Sequence, residues 1–135
     1  MDFSELNFLA ILFAALASFF LGAVWYSPWL FKRIWMESCG LTELDLQQIN
    51  PFRVFGGSFI LCCVISFTLA LFIGKQISVG LSVGTGFLVG VCWVSSSLGL
   101  CYIFEQRPLK LFLVNAGYSI LQFSLIGLVL GVWPS

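Results

Sequence analysis

Histidine is missing altogether from this 135-residue chain. With it go histidine-ligated haem, histidine-bound zinc or copper, and every nucleophile that an imidazole would activate. Charge is scarce as well. Asp, Glu, Lys and Arg make up 9% of the residues, where a soluble domain uses about a quarter to cover its surface. Six basic residues balance six acidic ones, and they are scattered, so no basic patch offers itself to nucleic acid. The five cysteines, Cys39, Cys62, Cys63, Cys92 and Cys101, make no CxxC pair. Four of them lie in apolar segments, where a thiol serves as a small, polarisable packing residue. A secretory leader is also not expected. The chain opens on Met1-Asp2-Phe3-Ser4-Glu5, acidic where a signal needs a basic start, so the first apolar run should stay as an anchor.

What is present is apolar. Hydrophobic residues make up 60% of the chain and the mean hydropathy is +1.05, so the solvent of most side chains must be lipid. A helix needs about 20 mainly apolar residues to cross a hydrocarbon core of roughly 30 Å. Four stretches qualify, at about 7–26, 52–74, 77–104 and 109–133, and none has a charged residue at its centre. Membrane strands would alternate apolar and polar residues, which unbroken runs such as Phe8-Leu9-Ala10-Ile11-Leu12-Phe13 do not. The expected fold is therefore an all-α integral membrane protein, one domain over residues 1–135. It is a four-transmembrane-helix bundle with a short interfacial amphipathic helix between the first and second spans.

Basic residues in short connections set orientation. The first connection, with the start of span two, carries Lys32, Arg33 and Arg53. The third connection, with the start of span four, carries Arg107 and Lys110, and the second connection only Lys75. Five against one places connections one and three in the cytoplasm and both termini outside, with a bacterial inner membrane as the expected location. Within the first connection, Ser27-Pro28 reads as a cap followed by proline at the first helical position. A helix should then run to about Cys39, with Gly40 as its stop. Thr42 and Asp45 resemble a capping box, and Asn50-Pro51 repeats the cap-then-proline signal where span two begins. Trp25, Tyr26, Trp29 and Trp35 cluster at this boundary, as an interfacial aromatic belt does.

In lipid, helices associate through small residues that let backbones approach. Such residues recur every four positions: Ala10, Ala14, Ser18 and Gly22 in span one; Ser58, Cys62, Ser66, Ala70 and Gly74 in span two; Ser82, Gly86 and Gly90 in span three. Span four is two-sided. Asn115, Tyr118, Ser119 and Gln122 share one face, while Gly117, Ser124, Gly127 and Gly131 fall on roughly the opposite one. Lipid suits neither face, so span four is expected to be packed on both sides. One side would belong to its own bundle and the other to a second copy or a larger membrane-protein partner.

Two stretches resemble a known family. Val24-Trp25-Tyr26-Ser27-Pro28-Trp29-Leu30-Phe31, continuing through Trp35-Met36 to Gly40, is one. Phe104-Glu105-Gln106-Arg107-Pro108, with Asn115-Ala116-Gly117-Tyr118 and the run from Gly127 to Trp133, is the other. Both resemble the domain-of-unknown-function family numbered 1761, small membrane proteins of four helices. The likeness covers the whole layout, although the two middle spans match only in hydrophobicity and glycine content. A glycine would be expected where this chain has Lys32. The family carries no assigned activity, so the resemblance implies a topology and no mechanism.

The chemistry left to consider is polar and neutral. Thr85, Ser95, Ser96, Ser97, Asn115, Tyr118, Ser119 and Gln122 are candidates to line a passage, hold a polar head group, or bond helix to helix. A packing ridge is expected from Gly86, Gly90, Gly117, Ser124, Gly127 and Gly131. Arg53, Glu105, Arg107 and Lys110 form a candidate interface charge cluster, with Glu105 facing Arg107 or Arg53, able to meet a lipid phosphate or simply anchor helix ends. A carboxylate-coupled transporter would carry an ionisable residue at membrane depth. None is there. Glu37, Glu43 and Asp45 lie in one solvent-facing connection without a paired site, so no catalytic, cofactor or metal residue is assigned. The expected protein is non-catalytic. It would work by helix–helix assembly with itself or as an accessory subunit of a membrane complex; the alternative is a homo-oligomeric channel or transporter for a small solute.

Overall fold

The computed structural model describes residues 6–73 and 78–133. The acidic N-terminal residues, Lys75, and the expected span ends at Gly74 and Ile77 lie outside them. In chain order the helices are α1 (Phe8–Trp25), α2 (Lys32–Cys39), α3 (Glu43–Gln47), α4 (Pro51–Ile73) and α5 (Val79–Leu88). A π-helical segment (Val89–Ser95) then leads into α6 (Ser96–Glu105), and α7 (Leu109–Val132) follows. No strand occurs among the described residues. Four helical stretches are long and apolar enough to span a membrane: Phe8–Trp25, Pro51–Ile73, Val79–Glu105 and Leu109–Val132. The protein is an all-α membrane protein.

The helix ends follow local chemistry. Asn7 Oδ1 accepts from the Leu9 and Ala10 amides, both at 3.1 Å, and starts α1. Asn50 Oδ1 accepts from the Phe52 amide at 3.0 Å, ahead of Pro51 at the first turn of α4. Gly40 takes φ +72° and stops α2, its amide returning to Glu37 and Met36. Thr42 and Asp45 form the expected reciprocal box: the Thr42 amide donates to Asp45 Oδ2 (2.9 Å) and the Asp45 amide to Thr42 Oγ1 (3.2 Å).

The start of α2 differs from expectation. Ser27 does not cap a helix beginning at Pro28; its hydroxyl turns back to the Val24 carbonyl at 2.6 Å. The Ser27 carbonyl accepts the amides of Leu30 and Lys32, and Phe31 donates to Trp25. This tight reversal occupies Ser27–Phe31, so regular helix begins only at Lys32.

α7 is the central helix. α1 and α5 pack along it, α4 packs chiefly on α1, and α2 and α6 touch its N-terminal half. The interior is rich in small residues, packed around a few large ones (Leu69, Leu111 and Ile126), and many large apolar side chains face out. Ala10, Ala14, Ala15, Ser18, Ser66 and Ser82 are buried, whereas Phe52, Trp93, Ile103 and Phe104 are exposed. Lipid makes that inversion reasonable, since backbone approach rather than side-chain burial holds such helices together.

Span three keeps its small residues on α7 by changing pitch. Ser82 and Gly86 are buried against α7, and their spacing is four. Gly90 continues it, a Cβ there meeting Ile120 Cα at 2.9 Å. Unbroken α-helix would next present Val94 and Leu98. The π segment instead inserts one residue, so buried Ser95 follows Gly90 by five, and Gly99 follows Ser95 by four with Phe112 beside it. A ridge of Ser82, Gly86, Gly90, Ser95 and Gly99 thus runs the length of the span. The widened turn is the local cost of keeping it aligned.

Candidate functional site

The densest polar chemistry gathers where α1 ends and α7 begins. The Trp25 indole donates from Nε1 to the Val114 carbonyl at 2.8 Å, and its ring lies against Gly117, where a Cβ would sit 3.0 Å from Trp25 Cζ2. Next along, the Tyr26 hydroxyl donates to Asn115 Oδ1 at 2.6 Å. Asn115 Nδ2 in turn donates to the Tyr102 hydroxyl at 2.6 Å. One amide therefore joins α1, α6 and α7. Tyr118 donates to the Ser18 carbonyl at 3.1 Å, with its hydroxyl where a Cβ on Gly22 would sit, 2.9 Å away. The rings of Tyr118 and Trp35 meet that of Tyr26 edge-on at 5.6 and 5.7 Å, and Arg107 stands 5.6 Å over the Tyr102 ring.

Burial holds the Tyr26 hydroxyl well above the ordinary tyrosine value, and Tyr118 and Tyr102 push it further. Tyr26 therefore keeps its proton and remains a donor. Asn115 is neutral at every pH. What the arrangement does is satisfy hydroxyl, amide, indole and carbonyl groups at the membrane boundary with one another.

Three stretches far apart in sequence meet here: Trp25-Tyr26 at the end of α1, Tyr102 to Arg107 at the end of α6, and Asn115 to Tyr118 in α7. The first and third of these, and Phe104 to Arg107 of the second, belong to the stretches that carry the likeness noted above. The family model described as protein of unknown function, DUF1761, matches residues 9–131. The chain belongs to that family. No curated protein and no solved structure matches it. Of the knot, Trp25, Tyr26, Asn115 and Tyr118 lie in the stretches that carry that resemblance, whereas Tyr102 and Ser18 lie outside them.

The remaining candidates separate. Gln122 is buried and donates from Nε2 to Cys62 Sγ at 3.7 Å, tying α7 to α4. Three hydroxyls bond back along their own helices: Thr85 to Leu81, Ser119 to Asn115 and Ser124 to Ile120. Ser96 reaches back five residues to Val91. Ser96 and Ser97 are exposed on the outer side of span three. Ser95 faces inward, buried, and its hydroxyl has no hydrogen-bond partner among the described residues.

The glycine ridge is used within the chain. A Cβ on Gly86 would run into the Phe123 carbonyl, and one on Gly127 into the Ser82 carbonyl. Gly131 lies over Ser82 and Val79, and Ser82 donates to the Gly127 carbonyl. Gly117 departs from this group, since it faces Trp25 of α1 and not α5. Both faces of α7 are therefore covered by its own chain, and the side assigned to a second copy is filled by α1 or α5. At the interface Arg107 pairs with Glu105 at 3.0 Å. Arg53 lies exposed at the start of α4, and Lys110 is exposed on the first turn of α7.

Sequence reading passed over two glycines. Gly80 and Gly84 stand one turn apart on α5, and a Cβ at either would meet nothing within 4 Å among the described residues. Their four-residue spacing was visible, but only the structure distinguishes which glycines of span three are spent inside the chain.

Proposed function

We propose that this protein is a non-catalytic membrane module that works by lateral helix–helix assembly, with a second copy of itself or beside a larger membrane protein. The observation that carries the reading is the open pair Gly80 and Gly84 on α5. α5 has two small-residue edges. Ser82 and Gly86 are committed to α7, while Gly80 and Gly84 present bare backbone outward at the spacing that lets another helix approach closely. The polar knot supports a non-catalytic role, because it offers a protonated phenol and a neutral amide in place of an acid–base pair. The solute-channel alternative gains less. Asn115, Tyr118 and Gln122, which would have lined a passage, bond helix to helix, and Thr85 and Ser119 bond to their own helices.

The excess of basic residues on connections one and three supports a cytoplasmic position for both. The test of assembly is gentle solubilisation of native membranes followed by native mass spectrometry. The expected result is a stoichiometric multimer or a fixed complex with a larger protein, either of them lost in Gly84→Leu. A bare monomer from the wild-type protein in lipid-retaining detergent would refute the reading.

A further inference from the structure

Beyond the end of α1 lies an open cavity of about 440 Å³, a size in the range of small-ligand sites. It is formed by the turn at Pro28, the stretch of α2 from Lys32 to Glu37, Leu41 just past that helix, and the start of α3 at Glu43. Two cations and two carboxylates line it, Lys32 and Arg33 with Glu37 and Glu43, beside the apolar Met36 and Leu41. Lys32 Nζ lies 3.5 Å from Glu43 Oε1, and Arg33 Nε lies 3.1 Å from Glu37 Oε1. We propose that this cavity binds a zwitterionic head group of the phosphoethanolamine type, its phosphate on Lys32 and Arg33 and its ammonium on Glu37 and Glu43.

Charge balance selects the ligand. A phosphate alone would gain two cations but lie against two carboxylates. A metal cation would meet the reverse conflict. Only a ligand carrying both signs completes all four groups. Capacity for it remains: Arg33 engages its Nε, leaving the terminal nitrogens of a fork suited to phosphate. Glu37 and Glu43 each engage Oε1, leaving a second oxygen apiece for an ammonium N–H. The Arg33–Glu37 pair is exposed on both sides and Glu43 is exposed opposite a half-buried Lys32, and exposed pairs hold weakly enough to share their charges with a ligand. Position agrees with chemistry. The cavity begins three residues past the last residue of α1, beside Trp29, which is 90% exposed as an interfacial tryptophan is. Met36 and Leu41 provide the apolar floor that a glycerol backbone or upper acyl chain would cover.

The test is lipid retention measured by native mass spectrometry on the full-length protein exchanged into detergent with phosphatidylethanolamine, phosphatidylcholine or phosphatidylglycerol. Phosphatidylethanolamine should be retained over both others, because a quaternary ammonium donates no hydrogen bond and an anionic head group leaves the carboxylates opposed. E37Q/E43Q keeps every basic residue, and with it the membrane orientation. It should lower phosphatidylethanolamine retention about tenfold while phosphatidylglycerol retention holds or rises. R33Q should weaken both lipids. Competition by soluble phosphoethanolamine would assign recognition to the head group alone; its absence, with selectivity intact, would assign it to the lipid through Met36 and Leu41. Equal retention of the three lipids, or retention of phosphatidylethanolamine unchanged in E37Q/E43Q, would overturn the site.

Discussion

Asn115 is the residue through which the membrane-boundary polar groups are connected. It accepts from Tyr26 and donates to Tyr102, both at 2.6 Å, so its removal would leave two hydroxyls in search of partners. Polar contacts between membrane helices couple by about 0.6 kcal/mol on average and up to roughly 1.7. A cycle of Tyr26→Phe, Asn115→Ala and the double variant, read by unfolding in mixed micelles, should give a coupling in the upper part of that range. Additive effects would separate the two residues energetically. Ser95 is the opposite case. Its buried hydroxyl lacks a partner among the described residues, and a buried unsatisfied group costs about 1–3 kcal/mol. Ser95→Ala should therefore raise the thermal midpoint; a lowered midpoint would show that the hydroxyl is used. The polar face containing Asn115 was legible from i, i+3, i+4, i+7 spacing. Its bond partners were not, because Tyr26 and Tyr102 reach it only through the packing of α1 and α6 on α7.

At the scale of elements, the spans were legible from run length, with Asn50-Pro51 marking the start of α4, and the connecting helices from Gly40 and the Thr42–Asp45 box. Two elements escaped. The Ser27-Pro28 signal is locally the same whether the serine caps forward or bonds back, and the Val24 carbonyl decides between them. The π segment arises from competition between α-helical pitch and the need to keep small residues on α7. Its trace is the four, four, five, four spacing of Ser82, Gly86, Gly90, Ser95 and Gly99, a signal that only a committed partner helix makes readable. The two edges of α5 yield a direct contrast. Gly86→Ala forces a methyl into the Phe123 carbonyl, and such overpacking costs about 1–3 kcal/mol. Gly80→Ala meets no described residue within 4 Å and should leave the stability of the solubilised monomer unchanged or slightly raised. Equal losses in a thermal-shift assay would contradict the assignment of inner and outer edges.

For the whole molecule, an all-α chain with an interior rich in small residues and many large apolar side chains outside behaves as a membrane protein whose own contacts concentrate on one central helix. Span four was expected to need a partner because both its faces repel lipid. Instead α1 and α5 supply both covers, and the assembly surface we propose lies on the outer edge of α5, where a Cβ on Gly80 or Gly84 meets no described residue within 4 Å. That placement was invisible in sequence, since every glycine in span three looks alike until a neighbour is placed. Orientation belongs at this scale too. A cysteine placed at Gln48, exposed just before α4, should react with a membrane-impermeant maleimide only after inner-membrane permeabilisation. Labelling in intact cells or spheroplasts would reverse the topology.

Assembly through the free edge of α5 is tested most directly by counting photobleaching steps of fluorescently tagged protein in native membrane fragments. The wild-type protein should show multiple steps, or a single step that comigrates with a larger partner. Gly80→Leu/Gly84→Leu should show single, free spots with an unchanged monomer melting midpoint. Single, freely diffusing spots for the wild-type protein, identical to the double variant, would contradict the account.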